Sequence, residues 1–254
     1  MMFKAASVDI KSPKEIAVIR EAGAIVAETL KLLAEAAVPG ISTEELDAIA
    51  GKNIRKHKAK PAFLGYRGYP TALCASINEE VVHGIPSLQR KLKEGDILGM
   101  DLGAIINGFY GDAAMTVAVG KISKEARSLL KVAEDALEKG IAEMRPDNRL
   151  GDIGAAIQRV AEDAGYSVVR EFVGHGIGRA LHEDPAVPNY GNRGTGMRLR
   201  EGMVLALEPM INEGTHEVRV LEDHWTAVTA DGKLSAHFEH TVAITEKGPE
   251  ILTL

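Results

Sequence analysis

The sequence has a single cysteine, Cys74, among its 254 residues. An intrachain disulfide and every cysteine-based zinc module are thereby excluded, so a metal site here has to be built from histidine and carboxylates. No apolar run approaches the roughly 18 residues of a membrane span, and the N-terminal MMFKAASVDIK has no apolar core of the signal-peptide kind. A cytoplasmic protein without membrane contact is expected. Positive charge is not in excess either: 30 Lys and Arg stand against 36 Asp and Glu, a formal net charge of −6 that argues against DNA as a partner. The one basic stretch, RKHKAK at 55–60, reads as a solvated helix end, with ribosomal RNA as its alternative partner. The glycines of GHGIG at 174–178 do not have the GxGxxG spacing of a nucleotide loop.

What the chain does contain is a ten-residue phrase written twice, LKEGDILGMD at 92–101 and LREGMVLALE at 199–208, offset by 107 residues. Each copy leads from a glycine turn into an apolar strand and ends on a carboxylate, Asp101 or Glu208. Burying an unpaired carboxylate costs on the order of several kcal/mol, so each needs a cation beside it. The repeat extends upstream. Capping boxes at Ser12-Pro13-Lys14-Glu15 and at Ser42 with Glu45 predict helices that end near Ala37 and near the 55–60 stretch. In the second half, helices are predicted over about 124–143 and around Ile153 and Ala156, which stand 107 residues after Leu46 and Ile49. The pattern predicts an α+β fold in one domain, residues 1–254. It consists of two pseudo-twofold helix-helix-strand halves, about 10–120 and 121–250. Strands are expected at 72–77, Ile97–Ile106, 109–119, 204–211 and 238–244.

Asn107-Gly108 between two apolar runs is the signal of a two-residue hairpin loop. With Ile106 opposite Phe109, Asp101 falls opposite Ala114 and Asp112 opposite Gly103. Alternation then puts both carboxylates on one face as diagonal neighbours, about 7 Å apart at Cα, while Leu98, Met100 and Leu102 take the other face. Glu208 shares a face with Ala206, and Leu205 and Leu207 occupy the opposite one. The stretch from Phe238 to Ile244 is similar to that from Asp112 to Val119, so a carboxylate is expected to open a strand in both halves, as Asp112 and as Glu239. Four acids cannot share a hollow unless cations or protons neutralise them, and two divalent ions would do so. His175 in FVGHGIG and His182 in ALHEDP are the candidate imidazole ligands. His57, His216, His224, His237 and His240 read as surface or satisfied core residues and are set aside. Cys74 reads as a pocket or core residue and not as a nucleophile, because no base partner is indicated.

In order and context, Asp101, Asp112, His175, Glu208 and Glu239 resemble the five metal ligands of the type 1 methionine aminopeptidases, which have the pita-bread fold. The resemblance is carried by SINEEVVHGIP (76–86), MDLGAIINGFYGDAAMTVAVG (100–120), GHGIG (174–178), LALEPMI (205–211) and EHTVAIT (239–245). It implies a curved antiparallel sheet covered by helices, and two divalent ions per chain. The donor set suits Mn, Fe or Co and admits Zn. By the same resemblance Asp101 chelates one ion, Asp112 and Glu239 bridge both, and His175 with Glu208 completes the second. A hydroxide between the ions attacks the first peptide carbonyl, Glu208 is the base, and His83 and His182 donate hydrogen bonds to the substrate. The methionine slot is implied to be formed by Phe63, Tyr66, Tyr69, Cys74, His83 and Trp225. Phe63 and Leu181 stand where some relatives carry Cys and Phe, which bears on pocket shape.

The implied substrates are N-terminal Met peptides and nascent chains with a small second residue, with the ribosome as a further partner and the chain a monomer. The bulky second residue, Met2, implies that this chain keeps its own initiator methionine. The short stretch from His182 to Glu208 and the lack of a Cys-rich extension fit the bacterial type. Three alternatives stand beside this reading. A proline-specific aminopeptidase of the same fold normally needs an extra N-terminal domain, for which the residues before Asp101 leave no room. A binding module that has lost catalysis should lack a ligand, and a purely structural protein must supply cations for four acids.

Overall fold

A computed structural model of the chain describes residues 8–254. The expectation about the initiator methionine concerns Met1 and Met2, which lie outside the described residues. Both anticipated capping boxes form. The Glu15 carboxylate accepts from Ser12 N at 2.7 Å and the Glu45 carboxylate from Ser42 N at 2.8 Å, while each serine hydroxyl accepts from the amide of its glutamate. They open α1 (Pro13–Ala36) and α2 (Thr43–Lys56), with Pro13 in the first turn of α1, where its missing N–H is not needed. The second half repeats the pair as α3 (Lys124–Ala142), capped by Ser123, and α4 (Leu150–Asp163), where the Asp152 carboxylate accepts from Arg149 N at 2.8 Å. Among the described residues, no helix is long and apolar enough to cross a membrane.

The strands, in chain order, begin with β1 (Lys60–Pro61), β2 (Cys74–Ile77), β3 (Glu80–Val82), β4 (Ile97–Ile106) and β5 (Phe109–Ala118). Next come β6 (Ser167–Val168), β7 (Gly174–Gly176), β8 (Glu183–Val187), β9 (Val204–Leu207) and β10 (Met210–Asn212). The last are β11 (Val218–Val220), β12 (Ala227–Thr229), β13 (Ser235–His237), β14 (Glu239–Thr245) and β15 (Gly248–Ile251). A curled antiparallel sheet runs β1-β4-β5-β14-β9-β7-β8, with β2 added to β4 and β15 to β14. Two three-stranded sheets, β13-β10-β6 and β11-β12-β3, flank it.

The β4–β5 hairpin turns at Asn107 and Gly108, both at positive φ (50° and 81°), as a tight two-residue loop requires. Its register pairs Ile106 with Phe109, Gly103 with Asp112 and Asp101 with Ala114, as the alternation predicts. Leu98, Met100 and Leu102 are fully buried with Val26, Leu30, Leu33 and Leu46 from α1 and α2. Leu205 and Leu207 of β9 are buried with Leu129, Leu137 and Ile153 from α3 and α4. One face of the sheet is therefore covered by helices, and the ligand candidates take the other. The approach is close: a Cβ on Gly111 of β5 would lie 2.7 Å from Gly23 N in α1.

Two strand expectations need correction. The expected strand over 204–211 is broken into β9 and β10 at Glu208-Pro209, because proline has no N–H for the ladder. The pairings of Leu207 with His240 and of Met210 with His237 keep one register across the break, so a single antiparallel pair is interrupted there and β10 and β13 diverge into their own sheet. The second correction concerns Asp112. Only Glu239 opens its strand; Asp112 is the fourth residue of β5, which begins directly after the Asn107-Gly108 turn.

Candidate metal centre

Paired residues on neighbouring strands share a face, and so do residues two apart on one strand. Cross-strand pairing aligns Cys74, Asp101, Ala114 and Glu239 across β2, β4, β5 and β14. A second row aligns Thr241, Ala206 and His175 across β14, β9 and β7. Asp112 lies two residues from Ala114, and Glu208 two residues from Ala206. All five ligand candidates thus fall on the face opposite the helices. Ligand atoms of Asp112, His175 and Glu239 lie within 4.8 Å of one another, and His175 Nε2 is 3.4 Å from Glu208 Oε1.

The electrostatics of this cluster are unfavourable for the chain alone. Asp101 Oδ1, Asp112 Oδ1 and Glu239 Oε1 are buried with no hydrogen-bond partner. Burial, with the Asp112 charge next, pushes the carboxyls of Asp101, Glu208 and Glu239 well above the ordinary carboxylate range. Burial lifts Asp112 to about 7, against a backbone N–H at Ala113 that pulls it down. His175 is held down to about 3 by burial, so its ring is neutral at pH 7. The ring proton is placed by Gly176, whose carbonyl oxygen lies 2.9 Å from Nδ1, and this leaves the Nε2 lone pair toward the acids. Buried, unpaired oxygens beside a neutral imidazole lone pair are the donor set of a divalent cation, so the residues present fit a metal.

The anticipated substrate residues line the same cavity, of about 140 Å³: Phe63, Tyr66, Tyr69, Cys74, His83 and Trp225, together with Leu181 and His182. Tyr69 meets Trp225 edge-on at 5.1 Å and is anchored through its hydroxyl to the carbonyls of Leu73 and Gly84 at 3.2 and 3.1 Å. His83, at a left-handed φ of 62°, sits between Phe172 and Trp225, with ring centroids 5.5 and 6.2 Å away. His182 stacks on Tyr66 at 5.2 Å, with Nδ1 2.8 Å from the Tyr66 hydroxyl, and lies 4.2 Å from the His175 ring. Burial lowers His83 to about 4, and burial followed by the Arg67 charge lowers His182. Both are therefore neutral at pH 7 and can donate without adding charge. Burial, then the Asp101 charge, raises the Cys74 thiol, so it stays protonated.

Three residues of the site were not anticipated. Arg67 lines the cavity and lies over the Tyr66 ring at 5.3 Å, and Phe172 packs against His83. The third is His237, set aside as a surface or satisfied core residue. It is 4% exposed, and its Nε2 is unpartnered, 4.0 Å from Glu208 Oε2. The available signal was parity, since His237 precedes Glu239 by two residues. Of the other histidines set aside, His57 pairs with Glu28 at 3.1 Å near the surface, and His240 with Thr253 Oγ1 at 2.8 Å.

The profile of Metallopeptidase family M24 matches residues 17–246. A methionine aminopeptidase of Clostridium acetobutylicum is 54% identical over 245 residues, covering 96% of this chain and 98% of that protein. Methionine aminopeptidase 1 of Bacillus subtilis is 54% identical over 243 residues, covering 96% and 98%. Among solved structures, the methionine aminopeptidase of Thermotoga maritima superposes with a TM-score of 0.96 at 49% identity, covering 97% of this chain and 99% of that one. The prolidase of Pyrococcus furiosus shares the fold, with a TM-score of 0.75 at 24% identity over 96% of this chain and 65% of its own.

Proposed function

The chain belongs to the methionine aminopeptidases of metallopeptidase family M24, and from that premise we propose that it removes the initiator methionine from nascent proteins through a dinuclear metal centre. The observation that carries this reading is the set of buried, unpartnered carboxylate oxygens of Asp101, Asp112 and Glu239, facing the imidazoles in one cavity. One divalent ion could not neutralise four acids; two could. Asp101, Asp112, His175, Glu208 and Glu239 would hold the two ions. The set is rich in oxygen with a single imidazole, which suits Mn, Fe or Co and admits Zn. Ions bound there lower the pKa of water toward neutrality and polarise the substrate carbonyl.

The chain's own groups do the rest. Glu208 takes the proton of the attacking water and passes it to the leaving amine. His83 and His182 donate to the carbonyl oxygen as it becomes an oxyanion. The Tyr66 hydroxyl on His182 Nδ1 leaves Nε2 as the nitrogen for that bond. The edges of Tyr69 and Trp225 and the apolar Phe63 and Cys74 fit an unbranched thioether, whose polarizable sulfur favours aromatic edges. Met peptides with a small second residue are the substrates. The protein acts in the cytoplasm on chains leaving the ribosome, as a monomer of one domain with two related halves.

Hydrolysis of Met-Ala-Ser and Ala-Pro-Ala, measured after reconstitution with Mn, Fe or Co and with Asp112→Asn as control, tests the reading. Cleavage of the first peptide alone, lost in the variant, is expected. Cleavage of the second alone, or full activity in the variant, would overturn it.

A further inference from the structure

His237 has no role in the mechanism above, yet the chain fixes it in place. Its backbone N–H donates to Thr116 Oγ1 at 2.9 Å, and the Thr116 hydroxyl donates back to its carbonyl at 2.8 Å. Thr116 is on β5, the strand of Asp112, so the His237 backbone is anchored to the strand of a ligand candidate. Its side chain is 4% exposed, and Nε2 has no hydrogen-bond partner. Leaving a buried N–H donor unpaired is unfavourable, and proteins seldom tolerate it away from a functional site.

Glu208 stands between two imidazoles, with His175 Nε2 3.4 Å from Oε1 and His237 Nε2 4.0 Å from Oε2. The two rings differ in where the proton sits. His175 carries it on Nδ1, toward the Gly176 carbonyl, so its Nε2 cannot donate to Oε1 and instead suits a cation between them. Among the described residues no carbonyl holds the His237 proton on Nδ1, which leaves Nε2 free to carry it toward Oε2.

We propose that His237 is a positioning residue for Glu208: its Nε2–H donates to Oε2 and keeps Oε1 as the oxygen that faces His175. A closing movement of about 1 Å brings the pair to hydrogen-bond length. The bond fixes the orientation of the Glu208 carboxyl, and with it the oxygen that receives a proton. The inference rests on the aminopeptidase reading of the site.

The test compares His237→Leu, which removes the donor, with His237→Gln, whose amide can restore it. In His237→Leu, kcat for Met-Ala-Ser is expected to fall about 10- to 100-fold, with KM and calorimetric metal stoichiometry unchanged, and His237→Gln should recover most of the loss. Long-range 1H–15N spectra of the Zn-loaded wild type should show His237 as the neutral Nε2–H tautomer, a signal absent from the Gln variant. This readout needs neither activity nor a folded Leu variant. Wild-type kcat in His237→Leu, a fall in metal affinity in His237→Gln, or an Nδ1–H tautomer would overturn the inference. Failure of the wild type to cleave Met-Ala-Ser would instead bring down the underlying reading.

Discussion

Glu208 ends a repeated phrase whose first copy ends on Asp101, yet its surroundings are different. Asp101 is buried among acids, with the charges of Asp112 and Glu208 acting on it, whereas Glu208 is flanked by the rings of His175 and His237. Glu208→Gln keeps the shape and removes the base, so kcat should drop about 10²- to 10⁴-fold, as read from steady-state hydrolysis of a Met peptide. Asp112 gives a prediction about pH. Burial lifts its folded-state pKa from 3.8 to about 7, so the metal-free folded protein retains a proton that the unfolded chain has lost throughout that window. Stability of the chelated protein should therefore fall as pH rises from about 4 to about 7 and level off above, with Asp101, Glu208 and Glu239 acting in the same direction. Metal requires the deprotonated acids and gains affinity over the same range. Thermal melts with and without chelator at about pH 5 and about pH 8 should show a gap that widens with pH, and a constant gap would contradict the assignment. Asp101, Asp112 and Glu208 were legible as candidates because each sits in a run whose alternation has no other place for charge, Glu239 by the likeness of its stretch to that of Asp112, and His175 over His182 only through the family resemblance. His237 was not, because its meaning depends on β13 returning beside Glu208 across the Pro209 break, a tertiary fact.

The elements that were legible are those with local signals. Both anticipated serine capping boxes and the Asn107-Gly108 turn specify their geometry within a few residues, and β4 and β5 are long enough for alternation to register. The strands β6 to β8 and β10 to β13 are two to five residues long and exist only because a neighbour pairs with them, so no periodicity announces them. Removing the Ser42 hydroxyl in Ser42→Ala should cost about 1 kcal/mol in urea unfolding, since it takes away the α2 cap. Gly111→Ala tests the seat of α1 on the hairpin. Its Cβ would meet backbone at 2.7 Å, and a loss of about 1 to 3 kcal/mol is expected, because a helix backbone cannot give way as a side chain can. The segment before α1 has its own task. Buried Lys11 pairs with Glu183, whose carboxylate also accepts from the amides of Arg179 and Ala180 at 2.7 and 3.0 Å, tying Lys11 to the loop of Leu181 and His182.

On the scale of the whole molecule, the centre joins distant parts of the chain. Asp101 and Asp112 come from one hairpin, His175 and Glu239 from β7 and β14, and Glu208 from the break after β9, all three more than sixty residues further along. A ligand that binds only when these strands are assembled stabilises all of them together. At a free metal concentration about 100 times Kd, the gain is about 2.7 kcal/mol per site, seen in calorimetry as a higher Tm than in chelator. The sheet also places every ligand candidate on one side by parity alone, through the Asp101–Ala114–Glu239 row and the His175–Ala206 row. Sequence drift in descendants of this chain is constrained accordingly. One residue gained or lost inside β4 or β5 ahead of its acid turns that acid to the helix-packed side, and a second such change in the same strand turns it back. Length variation should therefore accumulate freely in the surface loops and enter these two strands only in steps of two.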